Sequence, residues 1–154
     1  MRLRQPPLSS GVRQQMTDRG TCEHCHCEFD YSLVHNGFND SAFAYCDSCG
    51  SVAILSAWFA HIPKDANFRG HGPISVESEC WLKPCVCGGT FKAKGVPRCP
   101  KCTNLLSAEA ATPWIEANAL GTPKGWRWQG SWSGVYCIVI GGNVVNDNWR
   151  GVAA

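Results

Sequence analysis

Hydrophobic and polar positions change their period several times along the chain, and each change predicts an element. The first twenty residues show no apolar period. Arg2, Arg4, Arg13 and Arg19 stand against Asp18 alone, among Pro6, Pro7, Ser9, Ser10 and Gly11. That pattern predicts a flexible basic arm over residues 1–20. Between Thr21 and Gly50, Phe29, Tyr31 and Leu33 alternate with polar neighbours. Asn36-Gly37 offers a two-residue turn, and Phe43 and Tyr45 resume the alternation, so a hairpin is predicted. Ile54, Leu55, Trp58, Phe59 and Ile62 then fall at helical spacing before Pro63, which predicts a helix within 51–62. Pro63, Gly70, Gly72 and Pro73 make residues 63–79 a linker or long loop.

In the second half, Ser107 to Ala119 has helical composition. Thr112 is a good N-cap and Pro113 suits a first helical position, so this stretch is expected to split there. From Gly125 the period becomes that of strands: Trp126 and Trp128 alternate with Arg127 and Gln129, and Val135 to Ile140 is continuously apolar. Gly141-Gly142 reads as a hairpin turn, with Asn143 to Asn146 as the return strand. A C-terminal three-stranded antiparallel sheet is therefore expected. The run around Cys137 is too apolar for a strand with a solvated face, which puts Cys137 in a core covered on both sides.

Composition narrows the class. Charged residues are 17% of 154, and the 16 Gly and 9 Pro favour loops and turns over a helical bundle. No apolar run nears the roughly 18 residues of a membrane span, and the N-terminus lacks a signal-peptide core; a cytoplasmic location is expected. Eleven cysteines are an odd number and cannot all pair within the chain. In a reducing compartment, clustered cysteines bind metal more often than they form disulfides.

Two sets of four cysteines carry the chemistry. Cys22-Glu-His-Cys25 and Cys46-Asp-Ser-Cys49 are two C-x-x-C pairs with 20 residues between them. A C-x-x-C turn presents both sulfurs to one side, and two such turns complete a tetrahedron around Zn²⁺. Gly50 stands where the chain leaves the second turn with positive φ. The second set is Cys85-Val-Cys87, loosened by Gly88-Gly89, with Cys99-Pro-Lys-Cys102. Cys80 competes with Cys85 as a ligand; Trp81-Leu82 after it suggests instead a small buried side chain. The expectation is two Zn²⁺ per chain, one on Cys22, Cys25, Cys46 and Cys49 and one on Cys85, Cys87, Cys99 and Cys102. Cys27, Cys80 and Cys137 are expected to stay free. A ribbon of about 30 residues buries too little apolar surface to fold without such a staple.

These clusters resemble the zinc-ribbon, or rubredoxin-like, group over roughly residues 21–50 and 80–103. The resemblance implies two knuckles at hairpin ends with a metal between them. His26 and Thr103 stand where ribbons usually have Gly, and the C-x-C half is unusual for the group. The fold class expected is a small α+β protein with two zinc ribbons, short helices and a C-terminal antiparallel sheet. Its segments are a basic arm (1–20), a first ribbon with its helix (21–62), a linker or loop (63–79), and a second ribbon with the Trp-rich sheet (80–154).

Rival chemistries have weaker support. His26, Cys46 and Cys49 echo the three ligands of zinc nucleobase deaminases and Glu28 their proton-shuttling Glu, but residues 29–33 alternate like a strand where that motif needs a helix. Cys₄ sites also suit iron and electron transfer, and thiol exchange lacks a βαβ context. Catalysis is not expected. Seven Trp invite a base- or glycan-stacking reading, with a small aromatic core as the alternative. Charge is segregated beneath a net +2. Residues 21–50 hold Glu23, Glu28, Asp30, Asp40 and Asp47 without a basic residue; residues 80–108 hold Lys83, Lys92, Lys94, Arg98 and Lys101 without an acid. Either Lys92, Lys94, Arg98 and Lys101 contact anions or nucleic acid, or the opposed charges orient a protein partner. The sequence favours an adaptor with an unidentified protein partner, then a nucleic-acid-binding ribbon protein.

Overall fold

In the computed structural model, which describes residues 18–117, 128 and 130–151, the alternating segments become strands of two sheets. The first sheet orders β1 (Asp18–Thr21), β2 (Glu28–His35) and β6 (Tyr136–Ile140), all antiparallel. The second orders β5 (Phe91–Lys92), β3 (Ser41–Cys46), β4 (Val52–Ser56) and β7 (Val144–Asn146); β7 runs parallel to β4. With α1 (Ala108–Ala117) the architecture is mixed α+β in which strands dominate. Among the described residues no helix is long and apolar enough to cross a membrane.

Strands β3 and β4 are covered on both faces. Phe43, Tyr45, Val52 and Ile54 point into a core shared with Tyr31, Tyr136, Ile138 and Ile140 of the first sheet. Ala42, Ala44, Ala53 and Leu55 point the other way, into a second core with Leu82, Phe91 and Trp149. The three alanines leave room for the Trp149 indole, which is fully buried. Large-against-small complementarity of this kind is what close packing demands. Helix α1 lays Trp114 against Tyr31, with ring centroids 4.6 Å apart, and against Phe29 at 5.8 Å.

Several expectations change here. The helix within 51–62 is instead strand β4: Val52 and Ile54 are β-branched, and a strand buried on both faces mimics helical spacing. Asn36-Gly37 does not close a hairpin. Asn36 is buried and receives the Gly72 N–H at 2.7 Å, so the chain crosses there from the first sheet to the second. Nor does Gly141-Gly142 join a C-terminal sheet; both glycines take positive φ, and the chain passes from β6 in one sheet to β7 in the other. The helix does not split at Pro113. Ser107 Oγ accepts the Ala110 N–H at 3.1 Å as the cap, while Thr112 donates back to the Ala108 carbonyl at 2.8 Å.

Residues 63–79 hold 3-10 turns at Lys64–Ala66 and from Val76 onward, bury Ala66 and Ile74, and bond both backbone groups of Phe43 in β3 through the Gly72 carbonyl and the Ile74 N–H. Trp128 and Trp149 are core, whereas Trp58 is 83% exposed. Trp126 and all but the last three residues of the 1–20 arm lie outside the described residues.

Strand β6 is an edge of the first sheet, and an edge leaves backbone groups unpaired. Tyr45 satisfies those of Ile138: its hydroxyl accepts the Ile138 N–H at 2.8 Å and donates to the Ile138 carbonyl at 3.1 Å. Cys137 is fully buried as expected, and its thiol lies 3.4 Å from Asn36 Oδ1. A polar partner is therefore at hand, which the sequence had not suggested. Tyr45→Phe strands two buried backbone groups and is expected to cost about 2–3 kcal/mol in urea unfolding. Burial pushes both the Tyr45 hydroxyl and the Cys137 thiol up from their ordinary values. As pH climbs past roughly 9, the unfolded chain therefore releases protons that the folded chain keeps, and stability falls. Cys137→Ala is expected to flatten that alkaline loss, measured as the difference in urea midpoint between pH 7 and pH 10.

Candidate metal centres

Four short turns carry the eight cysteines, and they share one backbone pattern. In the turn at Cys22, the His26 N–H bonds the Cys22 carbonyl at 3.0 Å and the Cys22 N–H bonds the Cys27 carbonyl at 3.0 Å. The turn at Cys46 repeats this with Gly50 and Ser51, and the turn at Cys99 with Thr103 and Asn104. At Cys85 the same two bonds go to Gly88 and Gly89, one residue earlier in each case. The C-x-C pair is thus the C-x-x-C knuckle with one residue removed. In all four, the residue after the second cysteine has positive φ: His26 at 61°, Gly50 at 76°, Gly88 at 93° and Thr103 at 61°. His26 and Thr103 accept the left-handed conformation that glycine would take without strain.

The eight cysteines named from the sequence all come together, but in different sets. Cys22 and Cys25 face Cys99 and Cys102; Cys46 and Cys49 face Cys85 and Cys87. The expected sets of neighbouring pairs are therefore corrected to a nested arrangement. The outer centre joins the first knuckle to the fourth, and the inner centre joins the second to the third. The reason lies in the crossing at Asn36: β2 and β3 belong to different sheets, so the knuckles at their outer ends never meet. Cys80 is exposed beside the Glu77 carbonyl, not buried, and with Cys27 and Cys137 it lies outside both sets.

Sulfur geometry suits a tetrahedral ion. Across the outer centre Cys22 lies 3.6 Å from Cys102 and Cys25 lies 3.6 Å from Cys99. Across the inner centre the distances are 3.5 Å for Cys46–Cys87 and 3.6 Å for Cys49–Cys85. A tetrahedron with metal–sulfur bonds of about 2.3 Å has edges of about 3.8 Å, whereas a disulfide would need about 2 Å. Each set could hold a metal ion, with all four positions supplied by protein.

Backbone donors converge on these sulfurs as they would on thiolates. The His24, Ser48 and Lys101 N–H groups point at Cys22, Cys46 and Cys99 at 3.3–3.4 Å. The Ser51 and Gly89 N–H groups reach Cys49 and Cys87 at 3.5 and 3.3 Å. Hydrogen bonds from the Asn104 N–H and amide bring the Cys102 thiol down to about 6. At Cys49 burial acts upward, but the Ser51 hydroxyl and N–H outweigh it and bring that thiol down to about 7. Burial pushes Cys85 up to about 12 and also raises Cys22, Cys46 and Cys99. One thiol in each centre is thus ready to ionise. Four thiolates this close repel unless a cation lies among them.

Residues other than the cysteines complete the centres. A Cβ on Gly89 would lie 2.6 Å from Cys46 Sγ and 2.7 Å from Ser48 Oγ, so only glycine fits against the inner centre. Glu23 and His24, inside the first knuckle, tie it to the fourth knuckle's exit. The Glu23 carboxylate accepts the Ser107 N–H and hydroxyl, and His24 Nε2 lies 3.0 Å from the Leu105 carbonyl. Asp47 Oδ1 accepts the Thr90 N–H at 2.9 Å, the main cause of its lowered pKa. The signal for such residues was position: each sits inside a knuckle or two places after its second cysteine.

Of the basic residues named from the sequence, Lys92, Lys94 and Arg98 line one cleft of about 560 Å³ together with Val76, Leu105, Asp47 and Glu79. Lys92 Nζ lies 3.8 Å from Glu79. Lys101 is exposed in the fourth knuckle and does not line this cleft.

Residues 18–108 match the family model described as a domain of unknown function (DUF8255), more than half of the chain and a span that takes in all four knuckles. No curated protein and no solved structure matches the chain.

Two substitutions probe the knuckles. Gly89→Ala is expected to lose the inner metal and keep the outer one, read as one ion per chain instead of two by elemental analysis. His26→Gly removes left-handed strain at an exposed site and is expected to raise stability by up to about 1 kcal/mol in urea unfolding.

Proposed function

We propose that this chain, which belongs to the DUF8255 family, is a non-catalytic protein-interaction or adaptor module held in shape by two structural Zn²⁺ ions. The observation that carries this reading is the donor set: two groups of four thiols, each group with its sulfurs within 4.8 Å of one another. Four cysteines close a tetrahedral site and leave no position for water or substrate, which is how structural zinc differs from catalytic zinc. Each centre resembles a zinc ribbon in having two facing knuckles, although the knuckles come from distant parts of the chain. Zinc is preferred over iron because two knuckle pairs of unequal form suit scaffolding better than electron transfer. The deaminase-like alternative needs His26 beside Cys46 and Cys49, and His26 belongs to neither group.

Exposed apolar residues support a protein partner: Phe38 and Trp58 on loops, and Val86 at the tip of the third knuckle. Eleven free thiols fit a reducing compartment, the cytoplasm in this reading. The second reading, nucleic-acid binding, draws on the cleft of Lys92, Lys94 and Arg98 with Lys101 nearby in sequence. Asp47 and Glu79 in the same cleft weaken its attraction for phosphate, so the protein partner is preferred.

Elemental analysis of purified protein is expected to find two zinc ions per chain. Cys25→Ser and Cys99→Ser are each expected to lose the outer ion, Cys46→Ser the inner ion, and Cys80→Ser neither. Structural zinc contributes roughly 10–16 kcal/mol in small domains, so a strong chelator should abolish protease resistance. A metal-free chain that keeps its fold defeats the proposal. In a salt titration, binding of single-stranded or duplex DNA that falls steeply with salt supports the second reading instead.

A further inference from the structure

The two centres are joined by a short strap. Cys87 of the inner centre and Cys99 of the outer centre are only 12 positions apart, whereas Cys49–Cys85 closes 36 positions and Cys25–Cys99 closes 74. The strap is pressed against the second knuckle at two places that tolerate no side chain. A Cβ on Gly95 would lie 2.5 Å from the Tyr45 carbonyl oxygen, one residue before Cys46. A Cβ on Gly50, one residue after Cys49, would lie 2.5 Å from the Arg98 backbone nitrogen, one residue before Cys99. Strand β5 begins the strap, and its Phe91 pairs with Cys46 itself.

From this we infer that the two metal centres load cooperatively: filling the inner one fixes the second and third knuckles, and the docked strap then delivers Cys99 and Cys102 to the outer centre. The inference rests on the metal reading above and concerns how the same sites fill. Two physical terms contribute. Closing the inner loop shortens the chain that the outer centre must still close by about half, and loop-closure entropy at that ratio favours the second ion about threefold. The close approaches at Gly50 and Gly95 add to this, because the fourth knuckle is held in position less firmly while the second is unformed. Coupling is reciprocal, so the outer ion strengthens the inner one by the same factor. The expected total is at least about tenfold.

The test is a titration of the reduced, metal-free full chain with Zn²⁺, read by native mass spectrometry when each chain holds one ion on average. Two independent sites, equal or unequal, would then leave half or more of the chains with one ion. Tenfold coupling between sites of equal intrinsic affinity leaves only about a quarter, the rest being empty or doubly filled. A one-ion fraction below half supports the inference, since independent sites of any affinity leave at least half, and one at half or above overturns it. Gly95→Ala, which touches no ligand, is expected to bind two ions still while its one-ion fraction rises towards half. An unchanged fraction in that variant overturns the strap as the route of coupling. If the reduced chain takes up no zinc at all, the metal reading itself fails, and the two failures are thereby distinguished.

Discussion

The nesting of four knuckles into two tetrathiol centres is the constraint on which the remaining structure depends. The inner centre lies within the second sheet, between the β3–β4 turn and the segment that leads into β5. The outer centre joins the β1–β2 turn of the first sheet to the segment that leads into α1. An ion in the inner centre would stiffen a sheet, and one in the outer centre would tie together parts of the chain otherwise joined by packing and by the Glu23 and His24 hydrogen bonds. In a protein with a modest core, a metal staple would replace apolar area that the chain does not possess.

Around these staples the packing is divided by β3 and β4. Their odd and even positions feed different cores, with aromatic rings towards the first sheet and small alanines towards Trp149. Polar groups are used at the seams. Tyr45 completes the free edge of β6, and buried Asn36 holds the crossing between sheets while its side chain lies beside the Cys137 thiol. Neither group reaches solvent. Each satisfies backbone or side-chain partners that would otherwise be buried unpaired, which is the costliest state for a polar group.

Function follows from what the centres leave outside. A metal enclosed by four sulfurs offers no Lewis-acid position, so chemistry in this reading passes to the surface that the knuckles support. That surface is mixed: Lys92, Lys94 and Arg98 share their cleft with Asp47 and Glu79, and the acids are already engaged by backbone N–H groups of Thr90 and Ala93. The charge segregation along the chain thus becomes partial neutralisation in space. A cleft of mixed charge attracts a phosphate backbone less than a wholly basic one does.

Local chemistry was legible in the sequence because it depends on near neighbours. C-x-x-C spacing named six of the eight candidate ligands and the compressed C-x-C pair the other two, since two sulfurs that close in sequence face one side of a turn whatever surrounds them. The apolar run at Cys137 identified a buried strand, and alternation found β2 and β3. What the chain could not reveal locally was partnership. Four knuckles can be paired in three ways, and the choice depends on whether Asn36-Gly37 turns back within a sheet or crosses to another. That is decided by Gly72 and Val135, which bond Asn36 from far along the chain. The same holds for β4, whose helical look comes from burial on both faces, and for β6 and β7, which a glycine pair separates rather than joins. Sequence by itself determined the ligands and their turns, because those are held by bonds within a few residues. Only tertiary structure decided which turns face one another across a centre, because that is fixed by which strands pair.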